Sequence, residues 1–100
     1  MIFLQRDGIG GVYSGVKKSQ VVVGWKEGLH ARPCARLAEI ARRFGSTIKL
    51  ECNGQVANAR SFLSVLLLCA TMGTALAVEV EGEDEEKALA AVEQVFASGE

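Results

Sequence analysis

His30 is the single histidine of the chain and Pro33 its single proline, and they stand three residues apart in Gly28-Leu29-His30-Ala31-Arg32-Pro33. Loop-like composition gives way to a helical pattern at this point. The segment therefore gathers an imidazole, a guanidinium and the unpaired N–H groups of a helix start into one small volume. Such a set suits a transferable phosphoryl group. Phosphoryl transfer asks for a positioned nucleophile and for stabilisation of the charge spread over the phosphoryl oxygens. Imidazole, with a reference pKa of about 6.5, offers an uncharged nucleophile near neutral pH. The N–H groups of Ala31, Arg32 and Cys34 are expected to face the product anion, Pro33 having none to offer. Arg32 adds a planar, charge-assisted contact that lysine would not reproduce.

The elements that must hold these groups are legible around them. Gln20 to Val23 form a β-branched run ending at Gly24, which reads as a first strand, and the loop Gly24 to Leu29 leads to His30. Cys34, Leu37, Ala38, Ala41 and Phe44 recur at helical spacing before Gly45, with Pro33 tolerated in the first turn. Thr47 to Cys52 alternate as a half-buried strand must, and Asn53-Gly54 supplies turn residues suited to positive φ. With Gln55 counted in the loop, Cys52 and Val56 are expected to face each other on the buried side, in a third strand ending near Ala59. Phe62 to Cys69 read as a second helix with Ser61 as N-cap and Gly73 as its stop. Leu76, Val78 and Val80 mark a last strand. Asp84 is expected to cap a final helix with Glu85 and Glu86 in its first turn and Ala88, Leu89, Val92, Val95 and Phe96 inward. The order βαββαβα indicates an α+β fold with helices on one face of an antiparallel sheet.

Composition narrows the function. A chain of 100 residues, 49% of them hydrophobic, has room for one core. Gly8, Gly10, Gly11 and Gly15 make residues 1–18 read as a flexible extension, with a short added strand within it as the alternative, before a domain at 19–100. A net charge of −1 without a basic stripe argues against a nucleic-acid partner. The cysteines number three and none lies in a Cys-x-x-Cys pair, so neither a disulfide framework nor a zinc motif is indicated. A reducing cytoplasm, no metal and no cofactor are expected. The apolar runs Met1 to Leu4 and Phe62 to Ala70 are too short for a signal peptide or a membrane span of roughly 20 residues. The acidic run Glu79 to Glu86 reads as a solvated face, and Trp25 as a packing residue near the sheet edge.

Three motifs in order carry a family resemblance: Gly28-Leu29-His30-Ala31-Arg32-Pro33, Ser61 thirty-one positions after the histidine, and Glu81-Gly82-Glu83-Asp84-Glu85-Glu86 before the last helix. Over residues 19 to 98 the chain resembles HPr, the histidine-containing phosphocarrier of bacterial phosphotransferase systems. The resemblance implies an open-faced β-sandwich, a four-stranded antiparallel sheet covered on one face by three helices. It implies that His30 accepts phosphoryl at Nδ1 from phosphoenolpyruvate-charged enzyme I and gives it to an enzyme IIA domain, with Arg32 as the active-site arginine. It makes the chain a phosphoryl-transfer intermediate rather than a stand-alone turnover enzyme. Ser61 matches the serine that HPr kinase/phosphorylase modifies in some bacteria, and phosphate there would place charge beside Phe62 and Leu63, read as partner-docking residues. Ser64 stands where sugar-type members in kinase-containing bacteria usually carry glycine, and Ser61 to Leu68 resemble the nitrogen-related branch, NPr. Both branches stay open. A monomer is expected. The competing reading is a regulatory binding module whose partner affinity is switched by phosphate at His30 or Ser61.

Overall fold

The computed structural model describes residues 16–68 and 70–98. Its elements are β1 (Val16–Val22), α1 (Ala31–Arg43), β2 (Thr47–Cys52), β3 (Gln55–Asn58), α2 (Phe62–Leu66), β4 (Ala75–Glu81) and α3 (Glu85–Ala97). The strands form one antiparallel sheet in the order β1-β4-β2-β3, with the helices on one face. This is the open-faced sandwich expected from the sequence.

Alternation decides which side chains enter the core. Ile48, Leu50 and Cys52 on β2 and Leu76, Val78 and Val80 on β4 point inward, where Leu37 of α1 and Val92 and Val95 of α3 meet them. The opposite face is solvated, and Glu79 there stands opposite both Lys18 and Lys49. Burying one face fixes the register of each strand, because a one-residue slip would send every apolar side chain to water.

β1 starts at Val16, earlier than the expected Gln20, so residues 16 to 18 belong to the strand and not to an extension. The sequence pattern hid this because the half-buried positions there are polar. Lys17 pairs with Glu86 at 3.4 Å and Ser19 donates to Glu93 at 2.8 Å, both partners on α3. The expectation of a flexible segment over residues 1 to 15 lies outside the described residues.

Two further boundaries differ. Cys52 pairs with Gln55 across a two-residue turn in which Asn53 (φ 53°) and Gly54 (φ 82°) both take left-handed conformations. Gln55 is therefore strand and not loop, the register moves by one, and Val56 lies opposite Glu51 on the solvent face at 60% exposure. Helix α2 ends at Leu66, so Gly73 (φ 90°) is not its stop. Gly73 instead belongs to the turn that enters β4, where its N–H donates to the Val23 carbonyl at 2.7 Å.

The acidic segment before α3 is less solvated than its composition suggested. Asp84 occupies the N-cap position, yet its side chain makes no bond to its own helix. Its carboxylate reaches across to accept from the Gly45 N–H at 2.8 Å and from the Ser46 hydroxyl, tying the end of α1 to the start of α3. Glu85 is buried and its Oε1 accepts from the Gly82 N–H at 3.3 Å. Gly82 (φ 153°) is required at this crossing, since a Cβ there would stand 2.6 Å from the Ser46 Cα.

The Ser46 hydroxyl, then the Gly45 N–H, hold the Asp84 carboxyl below the ordinary aspartate range. A carboxyl whose folded-state pKa is depressed contributes stability above its unfolded value and loses it as pH falls through the folded one. Asp84→Ala is therefore expected to lower the thermal midpoint at pH 7. Its difference from the wild type should shrink as the pH is taken down through the acidic range in a calorimetric series.

Candidate functional site

Helix α1 begins because its first turn is prepared on both sides. His30 takes extended backbone angles as N-cap (φ −110°, ψ −172°), and its carbonyl accepts the first intrahelical bond from Cys34 N–H at 3.1 Å. Pro33 needs no acceptor and buries its ring. The His30 side chain makes no cap hydrogen bond. It opens instead onto a cleft of about 700 Å³ lined by residues 24–27 and by His30, Ala31 and Arg32.

The ring is held edge-on and half open. Its side chain is 32% exposed, and of its two nitrogens Nε2 is the buried one, without a hydrogen-bond partner. The Glu27 carboxylate lies 3.7 Å from Nε2. Nδ1 is not among the atoms sealed in this way. Trp25 meets the imidazole in a T-shaped contact, with ring centroids 6.1 Å apart and planes at 85°. The indole is itself buried and leans on Phe96 of α3 at 5.3 Å. Trp25 is thus a packing residue, and what it packs is the candidate nucleophile.

The loop that carries these groups is fastened by its backbone. Gly28 N–H donates to the Trp25 carbonyl at 2.9 Å, Leu29 N–H to Ala70 at 2.8 Å and Val23 N–H to Thr74 at 2.9 Å. Gly28 adopts φ 77°, and a Cβ at that position would come within 2.6 Å of the Ala70 carbonyl oxygen. No other residue fits this close approach without displacing one of the two loops.

The structure brings His30, Ala31 and Arg32 together around one cleft. Ala31 and Arg32 occupy the first two helical positions, whose N–H groups have no intrahelical acceptor. Cys34 requires a correction. Its N–H is taken up by the His30 carbonyl, so it is not available to an anion as the sequence had suggested. Its thiol is buried, and desolvation pushes its pKa up to about 11, which removes it as a nucleophile.

Ser61 lies apart from this cleft, at the start of α2, which packs on α1. Its Oγ accepts from Ser64 N–H at 3.2 Å and donates to the Ser64 hydroxyl at 2.9 Å, a working N-cap. Phe62 (38% exposed) and Leu63 (60%) present apolar surface, as do Leu67 and Met72, which the sequence reading passed over. The four-residue step from Leu63 to Leu67 was the available signal for the former. Glu27 and the role of Trp25 were also missed. The i, i+3 spacing of Glu27 and His30 could have suggested the contact.

Residues 17–98 match the family described as PTS HPr component, phosphorylation site. The chain belongs to that family. The phosphocarrier protein HPr of Xylella fastidiosa (strain 9a5c) is 39% identical over 77 residues, spanning 77% of this chain and 86% of that protein. The crystal structure of HPr from Bacillus anthracis superposes with a TM-score of 0.76 at 33% identity, covering 81% of this chain and 96% of the other. Crh of Bacillus subtilis, solved as a swapped dimer, aligns over 95% of both chains at 26% identity and a TM-score of 0.66. Since HPr relatives include such a dimer, family membership does not carry the monomer expected from the sequence. The motif Gly28 to Pro33 falls within the matched region, so the cleft is the part of this HPr-family fold on which its chemistry is to be sought.

Gly28→Ala combines a strained φ with a steric clash, and is expected to destabilise the fold by about 1–3 kcal/mol in urea titrations. Trp25 fluorescence should change with it, because Trp25 belongs to the loop that would have to move and its indole contacts His30 and Phe96.

Proposed function

We propose that this HPr-family protein carries phosphoryl on Nδ1 of His30, receiving it from phosphoenolpyruvate-charged enzyme I and passing it to an enzyme IIA domain in the cytoplasm. The observation that carries the reading is the partly exposed imidazole at the N-cap of α1, with Nε2 sealed and the ring lining a cleft shared with Arg32, an arrangement that leaves Nδ1 as the nitrogen for the cleft. The Nδ1 lone pair attacks phosphorus in line from the open side. The Arg32 guanidinium and the N–H groups of Ala31 and Arg32 stabilise the charge on the phosphoryl oxygens. The shallow cleft lets a partner approach from solvent and leave with the group. Phe62 and Leu63, exposed on α2 outside the cleft itself, are the proposed docking residues for both partners.

Ser61 is proposed as a regulatory position for HPr kinase/phosphorylase where a host encodes one, since phosphate there would set charge beside that apolar surface. Its present bonds make it a helix cap as well. Crh of Bacillus subtilis, described as a catabolite repression HPr, is 39% identical over 72 residues, and this keeps the regulatory-module reading as the alternative. The open face of His30 favours the carrier.

Incubation with enzyme I and phosphoenolpyruvate is expected to add one acid-labile, base-stable phosphate to the wild type and none to His30→Ala, as read by mass spectrometry. A label on His30→Ala would overturn the reading. Arg32→Lys keeps the charge but loses the planar fork, and is expected to slow transfer to enzyme IIA by about tenfold in rapid-quench assays.

A further inference from the structure

The buried Nε2 of His30 and the nearby Glu27 carboxylate have no part in the transfer described above. A ring nitrogen sealed from water without a partner is costly, and the one carboxylate lining the cleft among the described residues stands 3.7 Å from it. Glu27 sits on a largely exposed side chain, so a small rotation brings its oxygen into hydrogen-bond range. The left-handed Gly28 turns the loop so that residue 27 comes back toward the ring. The other charged groups lining the cleft are Lys26 and Arg32, both cations, and the remaining neighbour is the edge-on Trp25. Among the described side chains lining the cleft, Glu27 is the one acceptor able to favour a proton on the inner nitrogen.

We propose that Glu27 is a positioning residue that selects the nucleophilic nitrogen of His30, holding the ring proton on Nε2 and so directing the Nδ1 lone pair into the cleft. The inference rests on the carrier reading of His30. In the forward step the Nδ1 lone pair forms the P–N bond while the bond from phosphorus to the donor breaks, its electron pair leaving with the donor. The ring keeps its Nε2 proton and becomes cationic, and the Glu27 carboxylate stabilises that cation. Transfer onward reverses these changes. No proton has to enter or leave the ring in either direction, which suits a carrier that must release its cargo as readily as it takes it.

The test compares wild type, Glu27→Gln and Glu27→Asp in two ways. Nitrogen-15 NMR of the unphosphorylated proteins reads the tautomer of His30. Removing an exposed charge at this distance is expected to raise the Nδ1–H share roughly two- to fivefold in Glu27→Gln. The second readout is the pH profile of phosphate release from phosphorylated His30, where the protonated ring hydrolyses faster. Its alkaline limb should move down by roughly 0.2–0.7 of a pH unit in Glu27→Gln. Glu27→Asp, which keeps the charge on a shorter arm, should fall between the two in both measurements. Tautomer shares or hydrolysis profiles that coincide in wild type and Glu27→Gln overturn the proposal. If enzyme I fails to label His30 at all, the carrier reading falls, while the tautomer comparison still decides whether Glu27 orients the ring.

Discussion

The constraint on which this molecule depends is the fastening of one loop by another. Residues 24–29 must turn from β1 into α1 within a few positions and deliver His30 to the N-cap with its ring outward. They do so because Val23 and Leu29 donate to Thr74 and Ala70, and because Gly73 donates back to Val23. Those bonds satisfy backbone groups that the turn would otherwise bury unpaired, a cost of about 1–3 kcal/mol for each. They also set the loop so close to Ala70 that only glycine fits at position 28. The site is thus a property of two loops held at one end of the sheet, and not of a single motif.

The rest of the fold supplies rigidity to that junction. β4 lies between β1 and β2, so the strand that follows the bracing loop is the central partner of the strand that precedes the active loop. Displacing one loop would disturb the register of both. From the opposite side, α3 brings Phe96 against Trp25, which in turn stands against the imidazole. Helix α3 therefore reaches the imidazole through one indole. At the other end of the layer, Asp84 ties α3 to the α1–β2 connection. Both ends of α3 are anchored to segments that flank α1, which keeps the helix bearing His30 from rocking on the sheet.

Much of this was legible in the sequence where side-chain period and burial agree. Leu76, Val78 and Val80 alternate because one face of β4 is core, and Cys34, Leu37 and Ala41 repeat because one face of α1 is. Reading failed where polar side chains did the packing. Lys17 and Ser19 face α3 through an ion pair and a hydrogen bond, so the first half of β1 carries no apolar signal. The β2–β3 register turned on whether Gln55 was loop or strand, a single residue that sends Val56 to either face. The extent of α2 was obscured by a run that is apolar at nearly every position and so has no period. In the site, His30, Arg32 and Pro33 announce themselves by type and spacing. Glu27 offers only its i, i+3 spacing from His30, which is a weak signal in a loop where the positive φ at Gly28 intervenes.

A carrier differs from an enzyme in what its site must avoid. An enclosed pocket with many donors would bind the phosphoryl group tightly, and tight binding of the loaded state opposes release to the next partner. The arrangement around His30 is sparse by comparison: the third helical position is a proline, the fourth N–H is spent on the helix, and Arg32 projects from an exposed position. Each of these limits how much the protein alone stabilises the phosphate. On the proposed carrier reading, the partner's own donors would complete the transition state, so that transfer would depend on docking, for which the exposed apolar surface of α2 is the proposed contact. Limited stabilisation in the free protein and full stabilisation in a complex would together let one imidazole exchange phosphoryl in both directions, as the carrier reading requires.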